Sequence, residues 1–327
     1  MKEPESLQQA VLYFAEMDNC IAYLSARRWP DGKVICPNCG SESVSAFNSK
    51  RKTWKCAVHH PKREFSVKVG TLFEESPIGL DKWLTATWML TNCKNGISSY
   101  ELSRALKVSQ KAAWFMLHRI RMALHDETFG TKLGGPESEV ESDETFVGGL
   151  GKNMHKDRKI KLQAIRGEQR RGDIALGKTA VHGILDRDLR KIRCTVVPNV
   201  RRETLQNVIL KQVRYGTKVY TDSSPAYELL HNRYIHEFVN HAERYVNGRV
   251  HTNGLENFWS LLKRSLRGTY VAVEPFHLDR YLDEQVFRYN NRATKDNPLN
   301  DADRFDLVIR NIVGKRLTFA ELTGKPN

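Results

Sequence analysis

The chain has 327 residues and carries 52 lysines and arginines against 38 aspartates and glutamates, a formal net charge of +14. That length supports two or three domains, and the cationic excess points to a polyanion, nucleic acid before membrane, as partner. Membrane spans, a signal peptide and a disulfide framework are not expected: no apolar run reaches about 18 residues, Met1-Lys2-Glu3-Pro4-Glu5 lacks an apolar core, and of six cysteines only Cys36, Cys39 and Cys56 cluster, which suits a metal site in a reducing cytoplasm.

Taken in order, Ser6 to about Arg27 reads as one helix with Leu7, Ala10, Val11 and Phe14 on a single side. Cys36-Pro37-Asn38-Cys39-Gly40 and Trp54-Lys55-Cys56-Ala57-Val58-His59-His60 follow. Two knuckles, each presenting two soft or imidazole ligands, close a tetrahedron on zinc. His59 keeps the two-residue spacing and is the preferred fourth ligand, with His60 as its rival. Short polar and aromatic segments such as Glu64-Phe65-Ser66-Val67-Lys68-Val69 suit the hairpins of a zinc ribbon. Helices are expected from Leu80 to about Cys93, from Ser98 to Leu106 and, after Lys107-Val108-Ser109, to Leu124. The last two match a helix-turn-helix, with Lys111, Trp114, His118 and Arg121 on exposed sides and Ala113, Leu117, Ile120 and Leu124 inward. A plain packing hairpin is the equal alternative.

Gly130 to Ser138 reads as a linker. Glu139 to Gly149 alternates like a strand, and a glycine- and lysine-rich loop runs through Arg170-Arg171-Gly172. Ala180–Leu185 and Ile192–Val197 are strands, Thr204–Val213 a helix, Lys218–Asp222 a strand ending in an acid. Ser224-Pro225 opens a helix, Tyr234–Val239 is a strand, and Pro275–Arg292 a helix. Three strands, helix, strand, helix, strand and helices make a mixed α/β layer with helices on both faces. The expected domains are 1–78 (helix and ribbon), 79–130 (helical) and 139–327 (α/β with C-terminal helices).

Between the last strand and the last helix lies the most informative run, Val250 to Arg267. Leu255, Phe258, Trp259, Leu262 and Leu266 make an apolar helix face, and Glu256, Ser260, Lys263 and Arg267 a second stripe. Asn253-x-x-Glu256 also fits a capping box, in which the Glu would serve only the backbone. Asp143 inside the first strand, Asp222 at a strand end and Glu256 at a helix start can converge in such a sheet. Three carboxylates repel unless cations lie between them, and Mg²⁺ or Mn²⁺ are the natural choice. Two such ions would support in-line displacement at phosphorus, with Lys263 and Arg267 on phosphates. Each acid alone is better explained blandly, as an edge-strand charge, a turn residue or a cap.

These motifs resemble a known family, the acidic-triad (DDE-type) insertion-sequence transposases of bacteria, in the ISXO2-like branch with an N-terminal zinc ribbon. The likeness rests on Cys36-Pro37-Asn38-Cys39-Gly40, Phe65 to Thr71, Asp143 to Gly149, Tyr220-Thr221-Asp222, His251 to Arg264, Arg280 to Glu284 and Phe287 to Asn290. The resemblance implies a ribonuclease-H-like catalytic fold behind a zinc ribbon and a helix-turn-helix-like domain. It implies cutting and joining of double-stranded DNA, element terminal repeats and target, by at least a homodimer, associated with the nucleoid. It makes Asp143, Asp222 and Glu256 the metal-binding acids, with Mg²⁺ or Mn²⁺ there and Zn²⁺ on Cys36, Cys39, Cys56 and His59. Lys263 would contact DNA, with Arg264, Arg267, Lys111 and Arg121 as further candidates. The second knuckle departs from the family's usual second cysteine, and Asn253 rivals or assists Glu256. An inactive DNA-binding regulator and a nuclease that hydrolyses without joining are the other readings.

Overall fold

In the computed structural model the described residues are 2–125, 131–149, 154–166, 176–239 and 250–324; Gly130 and Arg170-Arg171-Gly172 lie outside them. Met1–His125 and Asn291–Asn327 form one compact unit, Asp126–Asn290 another.

The first unit begins with α1 (Leu7–Phe14) and α2 (Met17–Arg28). The single helix expected here is two, because Asn19 Nδ2 and Cys20 Sγ donate to the terminal carbonyls of Tyr13 and Phe14 and close α1. The ribbon follows, with β1 (Trp54–Lys55) paired antiparallel to β2 (Glu64–Phe65). Helices α3 (Leu80–Asn92), α4 (Ser99–Leu106) and α5 (Gln110–Leu124) complete it. Ser98 and Glu101 form a capping box on α4, Lys107 ends that helix in the left-handed region, and Ser109 caps α5.

The second unit holds β3 (Glu139–Val147), α6 (Lys156–Arg166), β4 (Thr179–Asp186), β5 (Lys191–Val197), α7 (Arg202–Gln212), β6 (Lys218–Asp222), β7 (Ile235–Val239), α8 (Asn253–Ser265) and α9 (Leu278–Asn290). Helix α6 occupies part of what reads as a loop. Pro225 opens only two 3₁₀ turns, not the expected α-helix, and Leu229 between them is left-handed. Returning to the first unit, α10 (Asp301–Arg310) and α11 (Phe319–Thr323) lie with the N-terminal helices, not with the α/β unit to which the expected 139–327 boundary joins them. Phe305 of α10 explains why. It packs against Phe14, Tyr23 and Trp88 in one aromatic cluster.

Strand order in the five-stranded sheet is β5-β4-β3-β6-β7, with β3–β4 and β4–β5 antiparallel and β3–β6 and β6–β7 parallel. This is the ribonuclease-H-like mixed sheet, and it puts β3 at the centre. Alternation sorts its faces. Val140, Ala180, Ile184 and Val219 pack with Leu205 and Ile209 of α7, whereas Val181, Leu185 and Ile192 pack with Leu255, Phe258, Trp259 and Leu262 of α8 and Leu278 and Leu282 of α9. Asn290 of α9 exchanges two hydrogen bonds with the Ile192 backbone and so covers part of the β5 edge. No described helix is long and apolar enough to cross a membrane.

Candidate active site and metal centre

Two elements bring the acids together. The parallel register pairs Glu141 with Tyr220; two residues further along each strand stand Asp143 and Asp222, so they share one face of adjacent strands. That face is covered by α8, and Trp259 of α8 donates its indole N–H to Asp143 Oδ2 at 2.8 Å. Asp143 lies on the central strand, not on an edge. Burial pushes its carboxyl up to about 6; the Trp259 hydrogen bond opposes that shift, and the charges of Asp222 and Glu256 add to it. Asp143 therefore feels both other acids. Among the described residues, no three acid oxygens lie within 4.8 Å of one another.

The capping-box explanation of Glu256 does not hold. Thr252 is the N-cap of α8 and makes no side-chain cap. The cap comes from the sheet instead: buried Glu141 Oε2 accepts the Leu255 N–H at 2.9 Å, and Arg187 Nε donates to Glu141 Oε1 at 2.8 Å. Arg187 also donates to the His251 carbonyl at 2.7 Å and pairs with Glu139 at 3.3 Å. A carboxylate from β3 thus bolts the helix start over the acids, where the positive end of the helix dipole favours it.

Glycine makes the close approach possible. Gly183 is the β4 partner of Asp143, and a Cβ there would lie 2.6 Å from Trp259 Cζ2 and 2.7 Å from Cη2. A Cβ on Gly254 would fall 2.3 Å from Leu185 Cδ2. Trp259 reads from sequence as core alone. The signal that could reveal its second role is a glycine interrupting the apolar run of β4, a mark of close approach. Glu141 and Arg187 carry no such signal.

On the opposite face of β3, burial drives Glu144 up to about 8. Its cross-strand neighbour His182 is buried, hydrogen-bonds Ser142 Oγ through Nε2 at 2.8 Å, and is held by burial down to about 3. An unfolded histidine titrates near 6.5, so between those values the unfolded chain binds the extra proton and stability falls as pH falls. His182→Gln is expected to remove about 2 kcal/mol of the stability lost between pH 6.5 and pH 5, measured by denaturant unfolding at the two values.

Lys263 is half-buried on α8, within electrostatic reach of Asp143, Arg267 and Lys178, and Arg264 and Arg267 are exposed. Arg267 lies in a π-turn, Leu266–Tyr270, that follows α8. Asn253 and Glu256 are exposed in the first turn of α8. In the other unit Lys111 is exposed in the first turn of α5, but Arg121 is 1% exposed and His118 fully buried. The expectation that these two face solvent is corrected: α3, α4 and α10 all pack on α5, so its inward surface is wider than the Ala113–Leu124 stripe.

Zinc ligation is corrected in one residue. Cys36, Cys39, Cys56 and His60 bring one ligand atom each within 4.8 Å of one another; His59 is exposed. Cys39 Sγ to Cys56 Sγ is 3.6 Å and Cys36 Sγ to His60 Nε2 is 3.4 Å. A tetrahedron with Zn–S near 2.3 Å and Zn–N near 2.0 Å has edges of about 3.8 and 3.5 Å, so the set fits zinc. Backbone N–H groups of Asn38 and Cys39 point at Cys36 sulfur, and that of Val58 at Cys56 sulfur, as thiolates require. Imidazole is longer than a thiol side chain, so the knuckle accommodates one more residue and reaches from His60.

Two family models match the chain. Residues 132–290 match the model of the ISXO2-like transposase domain, and residues 17–58 the transposase zinc-ribbon domain. The chain is 29% identical over 272 residues, 81% of its length and 90% of the relative's, to an uncharacterized protein in transposable element ISH50 of Halobacterium salinarum. It is 33% identical over 106 residues, 32% of its length and 85% of the relative's, to an uncharacterized transposase-like protein of Haemophilus influenzae. A chain of a simian T-cell lymphotropic virus intasome in complex with PP2A regulatory subunit B56 gamma is 12% identical at a TM-score of 0.31, over 67% of this chain and 74% of that one, a likeness too distant to argue from.

Proposed function

Because the chain belongs to the ISXO2-like transposase family, we propose that it cuts double-stranded DNA at the ends of its insertion sequence and joins the freed 3′-hydroxyls to target DNA, with Asp143, Asp222 and Glu256 as the catalytic acids. The observation that carries this reading is the shared face of β3 and β6 under α8, with Trp259 holding Asp143. The donor set fits hard divalent cations: three carboxylates, one of them pushed up to about 6 by burial, with its neighbours' charge adding to the shift. Mg²⁺ or Mn²⁺ bound there would activate the attacking oxygen and neutralise the leaving one.

The chain's own residues supply the rest. Asp143 presents the oxygen that Trp259 leaves free, Glu141 fixes the helix that carries Glu256, and Lys263, Arg264 and Arg267 hold the DNA backbone on one side of the acids. Lys111, at the exposed start of α5, adds a phosphate contact, and the zinc ribbon with α4–α5 recognises the terminal repeats. Two ends are joined together, so the active species is at least a homodimer. The test is Mg²⁺-dependent nicking and strand transfer on a duplex carrying the element end. Wild type nicks and joins, whereas Asp222→Ala binds the duplex and does neither. An Asp222→Ala protein that still joins would refute the assignment; hydrolysis without joining by wild type would make it a nuclease.

A further inference from the structure

Beside the acids, within the same unit, lies a cavity of about 750 Å³. Val147, Leu266, Val273 and Leu278 line it, as do Lys178, Lys263 and Arg267, with Glu274 the one carboxylate among the lining residues. Lys263 lies within electrostatic reach of the other two cations and of Asp143, so the cationic side adjoins the proposed catalytic acids. One wall is the π-turn after α8, anchored by a hydrogen bond from Tyr270 to Glu284. It ends in Val271, a β-branched residue held at φ 60°, ψ −57° and 80% exposed beside the cavity. Strain of that kind persists where the surroundings impose it, and it clusters at ligand-binding places.

The two halves of this cavity ask for different chemistry. A phosphate alone would use the cations and leave the apolar lining idle. An apolar side chain of a protein partner would fill the lining and leave three cations facing it. A nucleotide whose base has left the stack uses both, its ring against the aliphatic groups and its flanking phosphates on the cations. We propose that the cavity receives one unstacked nucleobase of the DNA strand being cut, next to the phosphate held at Asp143, Asp222 and Glu256, with the neighbouring phosphates on Lys178, Lys263 and Arg267. This rests on the transposase reading above and adds to it the conformation in which the DNA end is held.

The test uses the full-length protein and a duplex of the element's terminal sequence with 2-aminopurine placed, one position at a time, around the cleavage site. One position is expected to brighten several-fold on binding, because the base leaves its quenching neighbours. Val273→Trp, which sets an indole against the apolar lining where the base would lie, is expected to abolish that rise and to slow cleavage, and an abasic nucleotide at the same position to restore the Val273→Trp cleavage rate. Lys178→Ala, which removes a half-buried ammonium from the cavity wall, is expected to weaken the rise. Binding and cleavage with flat fluorescence at every position would overturn the inference and leave the proposed function standing. A rise that survives Val273→Trp would overturn it as well, since the base would then be elsewhere. Failure to bind or cut the terminal duplex would remove the proposed function itself.

Discussion

Gly183→Ala is expected to lower the rate of DNA cleavage by at least about 10²-fold, since a misplacement of about 1 Å in a catalytic site costs that much. The added methyl group has nowhere to go: it would stand 2.6 Å from Trp259 Cζ2 and 3.0 Å from Leu255 Cδ2. Both belong to α8, so the helix must lift or the indole must turn. Either movement breaks the 2.8 Å bond to Asp143 and shifts Glu256 with it. Overpacking should also cost roughly 1–3 kcal/mol of stability. The companion substitution separates the two effects. Trp259→Phe lacks the distal ring carbons that meet the methyl group, so Gly183→Ala combined with Trp259→Phe should be more stable than the two single losses predict. It should not recover activity, because phenylalanine has no N–H for Asp143. Full activity in the double variant would show that the indole only fills space.

What sequence made legible here is periodicity, and what it hid is pairing. The alternation from Glu139 to Gly149 appears as β3, which ends at Val147, residues 180–185 and 192–197 lie in β4 and β5, and the apolar stripe from Leu255 to Leu266 is the inner face of α8 and its C-cap. Asp143, Asp222 and Glu256 are visible as acids at particular places in strands and a helix, but their convergence depends on the parallel register of β3 with β6, which no local pattern carries. Glu141 capping α8 is hidden for the same reason: the helix start borrows its acceptor from residue 141, more than a hundred positions upstream. Local competition explains other differences. Asn19 and Cys20 close α1 with side-chain bonds that helix periodicity does not register. Arg121 and His118 look solvent-facing on a helix with one inner stripe, yet α5 is enclosed on several sides, and Arg119 beside them spends its guanidinium on the carbonyls of Leu72, Glu74 and Leu317.

Withdrawing zinc is expected to unfold the ribbon while leaving the α/β unit folded. The reason is the ribbon's lack of other means of support. Its strands are two residues each, and at its apolar centre Trp29, Phe47 and Phe65 each pack on Trp54. So small a core leaves folding dependent on the metal, whose binding in such sites contributes roughly 10–16 kcal/mol. The identity of the fourth ligand turns this into a discriminating measurement. His60→Ala should lose zinc from the purified protein and melt the ribbon, seen as a loss of protection from hydrogen exchange around residues 36–65. His59→Ala should keep full zinc and full protection, since His59 is exposed and is not one of the four clustered ligands. DNA affinity should fall with His60→Ala and hold with His59→Ala if the ribbon reads the terminal repeats. The opposite pattern, zinc kept without His60 and lost without His59, would mean that the second knuckle closes one residue earlier.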